Sequence, residues 1–521
     1  MVRESLTGRA AAARMTGGQA LVEMLRRHGI DVLFALPGVQ NDALFNALYD
    51  ARDAIRVIHT RHEQAAAYMA YGYAKSTGRV GAYAVVPGPG LLNTTAALAT
   101  AYATNARVLC ISGQISSEQI GRGWGMLHEI PDQLAILRGL TKWAARIEHP
   151  AQTPALVNEA FRHLHTGRPR PVALEIPSDV LAAEADVTLE EPPRAYPQAT
   201  PDPAAIARAA ALLGRAERPL IMVGSGVDDA GAELLAVAEA LQAPVVSATH
   251  GRGAVSDRHP LGMHGPGGHR LWAEADVVLA IGTRLQRPLT AWGVDDALRM
   301  IRIDIDPEEI GRIHAPTIGI VADARLALAA LREALPAYNR PRASREAELV
   351  ALKTEFDRAF AQLQPQYDFL RVIRAELPED GILVDEMTQV AYVARYAFPV
   401  YRPRTLITPG YQGTLGYGFA TALGVKVAHP GRAVLSISGD GGFMFTAAEL
   451  ATAVLHRLGI VAIVFNDDAY GNVLRMQKDL YGGRVIATRL HNPDFVKLAG
   501  SFGVPAARAT GPVELGNALR A

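Results

Sequence analysis

Gly439-Asp440-Gly441-Gly442-Phe443-Met444-Phe445-Thr446 opens a segment that closes, after the apolar run Ile460 to Phe465, on Asn466-Asp467-Asp468. The spacing reads as strand, helix, strand. A first strand delivers Asp440 at its end, the glycines let backbone approach an anion closely, and a second strand returns a carboxylate to the same sheet edge. Two hard oxygen donors beside exposed backbone N–H groups suit a magnesium ion clamping a diphosphate. Thr446 to Glu449 carries a capping-box signature, so a helix is expected over Ala447 to Arg457 with its N-terminal end toward the anion. Read locally, the same residues also describe a plain buried βαβ unit with a tight glycine turn.

A second segment bears on that choice. Ile55 to Thr60 has a strand pattern, and Arg61-His62-Glu63-Gln64 then opens a helix rich in Ala and Tyr through Lys75. A Glu in a first helical turn complements the dipole, and by itself says no more than that. Downstream lies Val86-Pro87-Gly88-Pro89-Gly90-Leu91-Leu92-Asn93, and much further on Gly413-Thr414-Leu415-Gly416-Tyr417-Gly418.

Together these segments resemble the thiamin-diphosphate enzymes, in the group of acetolactate synthase and benzoylformate decarboxylase. That family's motif is Gly-Asp-Gly, roughly two dozen residues, then Asn-Asn. Here the closing pair is Asn466-Asp467, which keeps an oxygen donor and adds a negative charge. The resemblance implies Mg²⁺ ligation by Asp440, Asp467 and the Ala469 carbonyl, with Gly439, Gly441 and Gly442 lining the diphosphate. It implies that Glu63 meets N1′ of the aminopyrimidine, where a carboxyl group in an apolar site can pass a proton to the ring nitrogen. Leu415 would hold the cofactor bent. The family also implies a homodimer or homotetramer in which Glu63 and the metal site come from different subunits.

Composition fits a large α/β enzyme. At 521 residues with 49% hydrophobic side chains the chain has core enough for about three domains. Lys plus Arg equals Asp plus Glu at 52 each, so no basic field favours nucleic acid or an anionic membrane. Cys110 is the one cysteine, which excludes an intrachain disulfide and agrees with a reducing, cytoplasmic setting. No apolar run approaches a membrane span. Residues up to Arg14 lack a secretory core and read as an unfolded extension, or more weakly as a transit peptide.

Three doubly wound α/β domains are expected: a pyrimidine-binding domain over 15–185, a central Rossmann-like domain over 204–335 and a diphosphate-binding domain over 365–521. Glu190 to Pro203, with five prolines, reads as a linker, and 341–363 as a charged helical connector. Gly224-Ser225-Gly226 lacks a third glycine, so it is a weak dinucleotide fingerprint. The family's central domain binds FAD in some members only, and the chain departs from the synthase pattern around Gly282 to Pro288. Family members continue past a helix like Glu514 to Ala521 into a strand, so truncation at the C-terminus is expected.

The substrate positions diverge most. Where the synthases place Phe-Gln-Glu, this chain has Leu127-His128-Glu129; where they place Gln-Trp, it has Arg475-Met476. His128 reads as a proton donor to a developing alkoxide, or else as a hydrogen-bonded structural histidine. Arg475 is a candidate for a substrate carboxylate, or a solvated helix face, and Gln40 is a further candidate contact. Met476 softens the acceptor wall. The leading expectation is a decarboxylase or carboligase acting on a 2-oxo acid. Alternatives are C–C hydrolysis of a cyclic diketone with the same cofactor, a Rossmann-type nucleotide oxidoreductase, and a non-catalytic cofactor-binding protein.

Overall fold

The computed structural model of the chain describes residues 12–521. The chain packs as two units. One holds the residues up to Tyr196 together with Ala420–Ala428 and Thr446–Leu458; the other holds Pro197–Phe419, His429–Phe445 and Gly459–Ala521. Each is described by itself.

The first unit begins with β1 (Ala13–Thr16), which pairs antiparallel with β8 (Glu184–Val187). Ala13 and Arg14 therefore belong to a strand, against the expectation of an extension through Arg14; the rest of that expectation, residues 1–11, lies outside the described residues. Between them stands a six-stranded parallel sheet of β2 (Val32–Ala35), β3 (Arg56–His59), β4 (Gly81–Val85), β5 (Val108–Gln114), β6 (Trp143–Arg146) and β7 (Val172–Pro177). The spatial order is β3-β2-β4-β5-β7-β6. β4, β5 and β7 are buried at every residue, as the central strands of a covered parallel sheet should be, whereas β3 at the edge buries only Ile58. The order reverses between β2 and β4. A crevice opens at such a switch point, beyond the carboxyl ends of the strands. The loops that flank it are Leu36 to Gln40 and Val86 to Gly90.

The second unit carries two more parallel sheets. One is formed by β9 (Pro219–Val223), β10 (Val245–Ser247), β11 (Gly262–Met263), β12 (Val277–Ile281), β13 (Arg299–Asp304) and β14 (Ile318–Val321), ordered β11-β10-β9-β12-β13-β14. At its switch point a Cβ on Gly226 would stand 2.5 Å from the Gly282 Cα, so these glycines serve backbone-to-backbone packing. The other sheet has β15 (Ile382–Asp385), β16 (Leu406–Ile407), β17 (Val434–Gly439) and β18 (Val461–Phe465), ordered β16-β15-β17-β18. Its order reverses between β15 and β17, which puts Glu386 and Asp440 on the two loops of that crevice. The connector forms a helix over Glu346–Phe360. Among the described residues no helix is long and apolar enough to cross a membrane.

Candidate active site

Glu63 is the first residue of the Glu63–Thr77 helix, whose N-cap His62 accepts the Gln64 N–H through Nδ1 at 3.2 Å. The helix is buried on nearly all sides, with Tyr68, Tyr71, Met69 and its alanines at or near zero exposure. The Glu63 carboxylate is half-buried, and its Oε2 accepts from Asn93 Nδ2 at 2.9 Å. Gly90 lies beside it; a Cβ there would stand 3.6 Å from Oε1 and collide with Val86 at 2.6 Å. The family-matched Val86 to Asn93 loop thus meets the carboxylate directly.

The expected capping box at Thr446 is not formed. Thr446 makes no side-chain cap, a single 3₁₀ turn spans Ala447–Glu449, and the helix that follows is only Leu450–Leu455. Glu449 instead turns to another chain segment, accepting the Arg61 N–H at 3.1 Å and the His62 N–H at 3.0 Å, with Thr452 Oγ1 at 2.5 Å. It is fully buried, and burial pushes its carboxyl above the ordinary value. A tertiary donor pair outcompeted the local one because it satisfies two N–H groups of the turn leading into Glu63.

Gly88 sits between Pro87 and Pro89 at φ +56°, ψ −117°, a region only glycine adopts readily. A Cβ there would lie 2.4 Å from the His128 carbonyl oxygen, and its N–H is taken by Gln133 Oε1 at 2.9 Å. His128 itself has φ +71°. The loop carrying it is tied by Glu129, whose carboxylate accepts the N–H groups of Met126 at 2.9 Å, Gly123 at 2.9 Å and Gly125 at 2.7 Å. These bonds hold the Glu129 carboxyl below the ordinary range. Gln40 is buried and committed at both ends of its amide: Nε2 donates to the Leu127 carbonyl at 3.0 Å, and Oε1 lies 3.1 Å from His128 Nδ1. Both ends of the Gln40 amide, a candidate substrate contact, are thus engaged within the protein.

In the second unit, Gly439 pairs with Phe465, so Asp440 and Asn466 leave adjacent parallel strands at the same level. Asn492 Nδ2 donates to Asp440 Oδ2 at 2.7 Å and to Asp468 Oδ1 at 2.9 Å. The Asn466 amide, turned with its nitrogen to the carboxylates, reaches the same two oxygens at 3.0 and 3.2 Å. Burial, and then the Asp440 charge, push the Asp467 carboxyl above its ordinary value. Asp468 takes φ +52°, the chain reverses, and Ala469 is buried in a bridge to Arg489. Gly441 faces the Tyr470 ring and Gly442 faces Glu386 Oε1, with would-be Cβ distances of 2.7 and 1.9 Å. Among the described residues no three His, Cys, Asp or Glu side chains form a metal cluster. Two carboxylates with amide and carbonyl oxygens at hand nevertheless fit a hard divalent cation.

Glu386 was not foreseen from the sequence. Fully buried, it accepts the Gly416 N–H at 2.7 Å, the Gly418 N–H at 2.9 Å and the Ser438 hydroxyl at 3.0 Å. One carboxylate thereby ties the turn that displays half-buried Leu415 to the Asp440 loop. Asn492 was missed as well. Ile382-Leu383-Val384 running into Asp385-Glu386 was a usable signal, since an apolar strand ending on carboxylates repeats the pattern at Asp440 and Asp467. Asn492 stands alone between loops and gave none. Arg475 and Met476 lie on the Gly471–Leu480 helix, which has no buried residue. Arg475 bonds Asn472 at 3.0 Å and approaches Asp479 at 3.8 Å, so its guanidinium is engaged along its own helix.

Known proteins match this chain over most of its length. Three family models match parts of it: the N-terminal thiamine pyrophosphate binding domain at residues 15–136, the central domain at 206–331 and the C-terminal binding domain at 386–521. The chain belongs to the thiamine pyrophosphate enzyme family, and thiamin diphosphate is its cofactor. Among its relatives is a probable 2-ketoarginine decarboxylase of Pseudomonas aeruginosa, 36% identical over 97% of this chain and 92% of that protein. A probable acetolactate synthase large subunit of Methanocaldococcus jannaschii is 35% identical, covering 97% and 89%. The acetolactate synthase large subunit of Corynebacterium glutamicum is also 35% identical, covering 96% and 84%.

Proposed function

We propose that this enzyme uses Mg²⁺ and thiamin diphosphate to decarboxylate a 2-oxo acid bulkier than pyruvate, the remaining fragment taking up a proton and leaving as the aldehyde or being joined to a second carbonyl. The supporting observation is the Gly439↔Phe465 register, which brings Asp440 and Asp467 to the ends of adjacent parallel strands. Asp440, Asp467 and the Ala469 carbonyl would hold the metal, and Gly439, Gly441 and Gly442 the diphosphate. When bound, the cofactor supplies a carbanion nucleophile and an electron sink for CO₂ loss. Glu63 would hold a proton at the aminopyrimidine nitrogen, Leu415 would support the bent cofactor, and His128 would face the substrate with Arg475 and Met476 near the acceptor.

The three domains are assigned to 15–185, 204–335 and 365–521. A homodimer or larger assembly is supported by the open apolar side of the second unit, where Val461, Val473, Leu480, Tyr481 and Ile486 are 47% to 76% exposed. Identity to the relatives does not separate decarboxylase from synthase, so the preference rests on Leu127-His128 and Met476. CO₂ release from 5-guanidino-2-oxopentanoate, benzoylformate and pyruvate decides it. Higher kcat/KM on either bulky acid is expected; pyruvate at the top with acetolactate as main product refutes the reading. Met476→Trp should narrow acceptor range, at about 1–3 kcal/mol of discrimination.

A further inference from the structure

Gln40 and His128 form a pair whose hydrogen-bond polarity can be worked out without seeing a proton. A backbone carbonyl only accepts, so the Gln40 atom 3.0 Å from the Leu127 oxygen is the amide nitrogen. The other end of the amide is therefore its oxygen, and it faces His128 Nδ1 at 3.1 Å. Two acceptors cannot share that contact, so Nδ1 carries the hydrogen. Turning the amide over would set oxygen against oxygen and, in the Nδ1–H tautomer, N–H against N–H. Gln40 is 7% exposed, so water is not at hand to repair the loss. Nor can the Leu127 carbonyl rotate away, because the Glu129 carboxylate pins the neighbouring Met126 N–H and the N–H groups of Gly123 and Gly125.

We propose that Gln40 is a positioning residue that locks neutral His128 in the Nδ1–H tautomer, so that its Nε2 offers the site a bare lone pair. Nε2 has no hydrogen-bonding partner among the described residues. Neutral His128 is then an acceptor at Nε2, and donates from that atom only as the imidazolium. Donation of a proton to a developing alkoxide would therefore come from the imidazolium alone. The consequence is a specificity rule: the group met by Nε2 is an O–H or N–H donor on the substrate, and an acceptor there is disfavoured. The inference rests on the reading that His128 belongs to the active site, but its test does not.

The test uses cofactor-free full-length protein labelled with ¹⁵N-histidine, at a pH where His128 is neutral. Long-range ¹H–¹⁵N correlations assign each ring nitrogen as protonated or bare, and His128→Gln identifies the His128 signals by their disappearance. Wild type should show protonated Nδ1 in roughly tenfold or greater excess, the weight of about one hydrogen bond. Gln40→Met, with nothing to receive Nδ1–H, should lose that excess. A wild-type His128 protonated at Nε2 overturns the proposal without any variant. A Gln40→Met protein retaining the full excess overturns the role of Gln40. Substrate profiling does not enter, so failure here and failure of the proposed reaction are separately readable.

Discussion

The Glu63 region and the Asp440 edge are built to opposite standards. The helix that begins at Glu63 is enclosed, with eleven buried residues, its entry turn held by Glu449, and its carboxylate already bonded to Asn93. On the other side, β18 has no buried residue, and the helix after it has none either. Packing enforces geometry in the first case. In the second, Asp440 and its turn are buried, but the strand and helix beyond them are not, and hydrogen bonds among Asp440, Asn466, Asp468 and Asn492 join the two sides, with like charges crowded together. The lesson is that the Glu63 element is held by packing, whereas the proposed metal edge would be completed by what binds it.

That contrast is most sharply broken at Asp440. Asp440→Ala should weaken Mg²⁺-dependent thiamin diphosphate binding by at least about 10²-fold, beyond the smaller loss of stability from leaving Asn492 Nδ2 and the Gly441 N–H without this acceptor. Calorimetric titration with and without Mg²⁺ reads it, and undiminished affinity would show that the edge is not the metal site. Glu63→Gln should do the reverse: affinity within a few-fold of wild type, but exchange of the cofactor C2 hydrogen for deuterium slowed about 10² to 10⁴-fold. Wild-type exchange rates in that variant would remove Glu63 from its role.

Smaller effects probe how the two standards are enforced. Glu386→Gln turns one acceptor into a donor facing the Gly416 or Gly418 N–H, and should cost about 1–3 kcal/mol in urea unfolding while loosening the Leu415 turn. An unchanged urea midpoint would mean that the carboxylate is not a strut. Asp385, wholly buried with both oxygens unbonded, is pushed by burial up to about 7 from 3.8. Between those values the folded chain keeps a proton that the unfolded chain has lost, so stability falls as pH rises through this window. Asp385→Asn should remove that slope, gaining about 2–3 kcal/mol relative to wild type between pH 5 and pH 7.5. Parallel urea melts at the two pH values check it, and equal slopes would refute it.

Much of this was legible because it is local. The Asp440 to Asp468 segment declares its second strand by the run Ile460 to Phe465, where β18 lies within one residue, and its turn by glycines, with β17 ending at Gly439 just before Asp440. Glu63 was legible because strand, polar turn and alanine-rich helix follow in order. What stayed hidden is long-range. Glu449 satisfied a local capping signature and yet serves Arg61 and His62, nearly four hundred positions away, because a pattern of four residues carries no information about competing donors. Glu386, Asn492 and the Gln40–His128 pair are likewise defined by partners that only folding brings near.

The tight seams around the Glu63 helix bear on how this enzyme can be altered. A methyl group on Gly81 would stand 2.0 Å from the Ala70 carbonyl oxygen, one on Gly72 2.2 Å from that of Thr421, and one on Gly424 2.0 Å from that of Met69. Three backbone contacts at the limit of approach leave the helix no route to shift or tilt. Directed evolution toward new substrates should therefore exhaust itself quickly there. Libraries repay effort instead at exposed Trp124 and Leu127 and along the Gly471–Leu480 helix, which has no buried residue.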